Sequence, residues 1–154
     1  MKSSWKRVII PGLCCIVVLL ILFNGIPLKH NTAVVIFSTE TGDIEFYCDM
    51  AEDSESRRKG LLGVSELDND SGMLFVYPSP QPRVFTMNEM MIPLDIIFIN
   101  GTNTVIHVVE ADIDEESILS NGSAQYVVEI NQGLSEQYEI TLGTSVKILF
   151  KNNP

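Results

Sequence analysis

The chain has 154 residues, 45% hydrophobic and 19% charged, with 10 Lys and Arg against 20 Asp and Glu for a net charge of −10. That length at ordinary apolar content makes one domain with a real core rather than two. The acidic balance repels phosphate backbones, which argues against a nucleic-acid role.

The first element in chain order is "VIIPGLCCIVVLLILFNGIPL", Val8 to Leu28, a run of about 21 residues without a charge. As a helix it spans about 30 Å, the thickness of a bilayer core. Lys2, Lys6 and Arg7 precede it, and cations on that side hold an amino terminus in the cytoplasm. The sequence therefore predicts a cytoplasmic stub at 1–7, a single-pass transmembrane anchor at 8–28, a linker at 29–33 and an exported domain at 34–151. The protein is expected at the cell membrane, with its C-terminal domain outside. A cleaved signal peptide is the competing reading, but neither "FNG" nor "HNTA" supplies the small residues at alternate positions that a cut requires. Cys14 and Cys15 lie near the start of the run, whereas a lipidation cysteine should close it. Without the three leading cations, seven Lys and Arg remain against 20 Asp and Glu, so the exported part carries −13. Its one cysteine, Cys48, can close no internal disulfide and reads as a small apolar residue.

Beyond the linker, alternation of apolar and polar residues is the main signal. "AVVIFS" and "DIEFYCDM" flank "TETGD" and predict a β-hairpin, with Ile44, Phe46 and Cys48 on one face. "AEDSESRRKGLLG" breaks the pattern: Ser54 is expected to cap a short helix that Gly60 or Gly63 stops. "ELDNDSG" is a polar loop, "MLFVYP" a strand and "SPQP" punctuation before a further strand at "VFTM". "NEMMIP" joins this to "LDIIFI", where Pro93 prevents a helix from running into the strand. Asn100-Gly101 marks a tight turn, and "TVIHVVE" is the return strand of a hairpin. "ADIDEESILSNGS" reads as an acidic loop, "AQYVVEI" as a strand, "GLSEQYEI" as a short helix or turn and "SVKILF" as the last strand. The predicted class is mainly β: about seven or eight short strands with one or two short helices, in a compact antiparallel sheet that is barrel-like or sandwiched. Asn69, Asn100 and Asn121 each begin an Asn-x-Ser/Thr triplet in a turn-like context.

Taken together and in order, "SRRKGLLG", "GMLFVY", "FTMNEM", "IPLDIIFING", "AQYVVEI" and "GLSEQYEITLGTSV" resemble the domain-of-unknown-function 192 family, from about Val34 to Ile148. The resemblance implies a small β-rich domain, often exported or membrane-anchored, with no established activity. Family members tend to read Phe-Trp-Met-Lys-Asn-Thr where this chain has Phe85, Thr86, Met87, Asn88, Glu89 and Met90, so an aromatic and a cation are missing here. Arg57, Asp95 and Gly143 fall on residues of the family pattern.

The segment "FTMNEMMIPLDIIFING" is the expected functional spot. Alternation puts Leu94, Ile96 and Phe98 on one face of its strand and Asp95, Ile97 and Ile99 on the other, so Asp95 opens a face that continues apolar. A buried carboxylate needs a partner, and Arg57, Arg83 or a row of backbone N–H groups could supply it. In the structural reading Asp95 caps the "NEMM" turn. In the functional reading it lines a pocket with Asn88, Glu89 and Glu110, and Met87, Arg57 and Arg83 complete the candidate ligand-binding set. No nucleophile elbow, zinc-binding His pair, phosphate loop or dinucleotide fingerprint occurs, so no catalytic residue, metal or cofactor is expected. The expected function is a membrane-tethered binding or interaction domain, monomeric, with a glycan or an envelope protein as partner. The alternative is a hydrolase of envelope glycans, using Glu89 and Asp95 as acid and base.

Overall fold

The computed structural model describes residues 32–151. The run at 8–28, with its expected anchor, lies outside them. Among the described residues no helix is long and apolar enough to cross a membrane. Seven strands form one sheet: β1 Thr32–Thr39, β2 Gly42–Ala51, β3 Ser71–Phe85, β4 Leu94–Ile99, β5 Val105–Ala111, β6 Ile118–Asn131 and β7 Ser145–Lys151. Two short helices, α1 Ser54–Lys59 and α2 Leu134–Gln137, complete it.

The strand order is β5-β4-β6-β3-β2-β1-β7. The sheet is not closed into a barrel, as one form of the expectation had it. Its edges meet at an isolated bridge between Thr104 and Ser145, flanked by backbone hydrogen bonds of Val105 with Gly143 and Thr144 and of Val146 with Asn103. Every pairing is antiparallel except one: β3 runs parallel to β2 from Tyr47 opposite Ser71 to Ala51 opposite Phe75. A parallel neighbour requires a crossover rather than a tight turn, and α1 with the polar loop after it provides one.

β4 has all six residues buried, and its alternation sorts them between two cores. Ile97 and Ile99 join Phe37, Phe46, Leu74 and Ile130 on one face, covered by Leu134 of α2 and by Ile140. Leu94, Ile96 and Phe98 join Phe75, Met87 and Val127 on the other, covered by Leu61 just after α1. A strand buried on both faces reads as a continuous apolar run, which explains "IIFI".

Two strands are longer than the sequence suggests. "SPQP" does not end a strand; β3 passes through Pro78, Pro80 and Pro82, and its ladder with β6 shifts register between Val76 and Gln81 and again between Pro82 and Val84. Proline lacks the ladder's N–H donor, and such interruptions are where it is tolerated. These prolines also lie beyond Phe75, where pairing with β2 has ended. β6 likewise begins at Ile118, inside the expected acidic loop, with Asn121 at a positive φ of 50°. The helix cap is also moved by one residue: Asp53, not Ser54, caps α1.

Candidate functional site

Asp53 Oδ1 accepts the Glu55 and Ser56 amides, both at 2.8 Å, while Ser56 Oγ accepts the Asp53 N–H at 3.1 Å. This reciprocal box fixes a six-residue helix whose last turn is Arg57, Arg58 and Lys59, cations at the end where the helix dipole favours them. Gly60 then turns the chain at φ +48°. Its missing side chain lets Phe75 and Glu129 approach from the sheet.

Glu129 stands opposite Met73 of β3 and Ile96 of β4, so it belongs to the face that carries Phe75, Ile96 and Val127. It is 5% exposed, and its Oε2 is buried with no hydrogen-bond partner among the described residues. Burial pushes its carboxyl up to about 8, which keeps it protonated at neutral pH. It lines the floor of a cleft of about 250 Å³, with Phe75, Tyr77 and Phe85 as walls and Arg57 and Asn88 at the rim.

Two arginines that could have neutralised Glu129 are engaged elsewhere. Arg57 Nη1 donates to the carbonyls of Val76, at 2.9 Å, and Glu52. Arg83 donates through Nη2 to Ser79 O at 2.7 Å and through Nε to Ala124 O at 3.2 Å. Both guanidiniums lie over the Tyr77 ring, Arg83 at 3.7 Å and Arg57 at 4.9 Å from its centroid. Burial raises the Tyr77 phenol above its ordinary value, against the pull of the two arginines. Burial lowers Arg83.

The residues anticipated from sequence are divided between two regions. Arg57 and Asn88 line the Glu129 cleft, and Arg83 reaches it through Tyr77. Met87 is buried beneath it, where its N–H donates to Glu115 O at 2.8 Å and its carbonyl accepts from Met90 and Asp114. Glu89 is exposed at a positive φ of 64° on the turn.

Asp95 and Glu110 sit on the other face, opposite each other in the β4–β5 ladder. Asp95 is fully buried, and its partners are neither arginine nor the "NEMM" turn. Its Oδ1 accepts the Gly133 N–H at 3.1 Å and its Oδ2 the Ser135 N–H at 2.7 Å. It therefore caps α2, whose own N-cap Gly133 has no side chain to do so. Glu110 is exposed beside a shallow acidic cleft shared with Glu40, Glu136 and Glu139. Among the described residues no group of three or more His, Cys, Asp or Glu could hold a metal ion.

Glu129 and Tyr77 were not anticipated. In "AQYVVEI" Glu129 has the parity of Gln125, which assigns it to solvent. The one contrary signal is Val127, apolar on that same face.

The molecule thus falls in the class of small, curled, mainly β domains, here with an acid buried at the floor of a cleft. The chain belongs to the domain-of-unknown-function 192 family, described as an uncharacterised ACR, whose model matches residues 35–148. It is similar to a protein of unknown function from Novosphingobium aromaticivorans DSM 12444, with a TM-score of 0.75 and 31% identity over 79% of this chain and 89% of that one. A candidate transcription regulator from Sinorhizobium meliloti 1021 is also similar, with a TM-score of 0.74 and 25% identity over 78% of this chain and 95% of that one. No curated protein matches the chain.

Proposed function

We propose that the chain is a membrane-tethered, extracytoplasmic domain that binds a small envelope ligand, a glycan fragment or a short segment of an envelope protein, in the cleft floored by Glu129. One observation carries this reading: a buried carboxyl whose Oε2 has no partner lines an open cleft. A buried polar atom left unmatched costs about 1–3 kcal/mol, which an apolar residue of similar size would avoid. Residues held at such a cost to the fold are characteristic of sites. The tether rests on the uncharged run from Val8 to Leu28 and the cations before it.

Hydrolysis by paired carboxylates finds less support. Glu129 is the only carboxylate among the described residues lining the cleft. Asp95 is committed to two amides of α2, and Glu89 is exposed on the turn. A lone proton donor has no second group to activate water, so the domain binds without turning its ligand over.

The test is a thermal-shift screen of envelope glycan fragments and peptides against the parent and Glu129→Leu. Ligands that raise the melting temperature of the parent and not of the variant are expected. Hits that stabilise both equally place binding elsewhere and reject the cleft.

A further inference from the structure

The cleft combines three features that select a chemistry. Its floor offers a carboxyl group whose Oε2 is unmatched. Its rim carries Arg57, Arg58 and Lys59 from one turn of helix. Its walls are the apolar and aromatic side chains of Phe75, Tyr77 and Phe85, with Phe75 and Phe85 edge to face at 5.0 Å. We infer that the cleft takes a small carboxylate with a flat, apolar body, one oxygen accepting a hydrogen bond from the Glu129 carboxyl group while its charge faces the cations of α1. This inference rests on the cleft being a binding site, as proposed above.

The polarity follows from the surroundings of Glu129. The charged and titratable groups that line the cleft with it are Arg57, Arg58 and Lys59 from the last turn of α1 and Tyr77 of β3, with Arg83 behind the Tyr77 ring; Asn88 from the turn is neutral, as are the sheet neighbours of Glu129, Met73 and Ile96. A cationic ligand would meet three like charges at the rim. An anion meets opposite charge there and, at the floor, a carboxyl that burial keeps protonated and able to donate. A volume of about 250 Å³ corresponds to about eight waters at ~30 Å³ each, which admits one aromatic ring with its acid group. A flat aromatic carboxylate is favoured over inorganic phosphate because its ring fills the space between Phe75, Tyr77 and Phe85, which a bare tetrahedral anion leaves empty.

Titration calorimetry of the full-length chain with benzoate, benzamide, benzamidinium and inorganic phosphate separates the possibilities, because the first three share one shape and differ in charge. Benzoate is expected to bind tightest. Its affinity should fall about fivefold between pH 8 and pH 9 in the parent, as Glu129 loses its proton. Glu129→Gln, which keeps a donor, should retain binding and lose that pH dependence, and Glu129→Ala should weaken binding at least tenfold. The Glu129 carboxyl ¹³C resonance, read in the unmutated chain, should move as benzoate saturates. Tighter binding of benzamidinium or phosphate that is still lost in Glu129→Ala overturns the carboxylate assignment and leaves the site standing. Failure of all four to bind, or benzoate binding indifferent to Glu129, overturns the inference, while the thermal-shift screen decides separately whether the cleft is a site.

Discussion

Gly60 and Glu129 approach each other at the end of the cleft: a Cβ built on Gly60 would stand 4.0 Å from Glu129 Oε2 and 3.3 Å from Phe75 Cζ. At φ +48° a side chain is also strained by its own backbone. Gly60→Ala should therefore destabilise the domain by roughly 1–3 kcal/mol in urea melts and narrow the cleft. A variant as stable as its parent would show that neither the turn nor the contact constrains this position.

Asp95 is expected to matter for stability alone. Removing it leaves the Gly133 and Ser135 amides without their acceptor, so Asp95→Ala should lose about 1–3 kcal/mol. Asn88→Ala and Glu89→Ala, exposed on the turn, should stay within roughly ±0.5 kcal/mol. Denaturant melts of the three variants check both statements, and an Asp95→Ala protein with an unchanged midpoint would contradict the capping role.

Glu129 should give stability a pH dependence opposite to that of paired carboxylates. Its folded value is raised from 4.5 to about 8, so in that range the folded chain holds a proton that the unfolded chain has released. Stability contributed by the neutral acid is fully present below about 4.5 and falls as pH rises towards 8. Glu129→Gln cannot titrate. The difference between parent and variant midpoints, measured from pH 5 to 8.5, should widen in favour of Glu129→Gln. A constant difference would mean that Glu129 ionises normally in the fold.

The box at the start of α1 should control how firmly the basic rim is held. Asp53→Ala frees the Glu55 and Ser56 amides, and their hydrogen exchange should accelerate together with that of Arg57. Hydrogen bonding to Ser56 lowers the Asp53 carboxyl below its ordinary value, so the box is present at neutral pH and is lost only as acid protonates Asp53. Unchanged exchange in Asp53→Ala would show that tertiary contacts alone hold the helix.

The proposed tether is checked by intact mass. The chain isolated from membranes should retain Met1 to Leu28, whereas loss of about 25 to 33 residues would identify a cleaved signal peptide.

The architecture was legible wherever one face of an element decides its pattern. The β1–β2 hairpin, the two-sided burial of β4 and the short helix at Leu134 follow from alternation and turn residues in the sequence. The need of Asp95 for partners was legible too, but their identity was not: they lie 38 and 40 residues away, brought together by β4 pairing with β6. Glu129 was missed for a related reason. Its strand places it on the less apolar face, and segments distant in sequence, the turn at Gly60 and Leu61 and the stretch around Met87, cover that face. A parallel crossover leaves no local mark of what it will bury.

The prolines of β3 have a consequence outside the single molecule. Past Phe75 this strand keeps β6 on one flank and, among the described residues, no strand on the other. Such a flank is where a second polypeptide could add itself and begin a chain of copies. Pro78, Pro80 and Pro82 remove N–H donors along that stretch and the register shifts bend it, so an incoming strand finds neither a regular ladder nor a straight template. The residues that interrupt the pattern in the sequence are therefore also the ones that resist self-assembly through this edge.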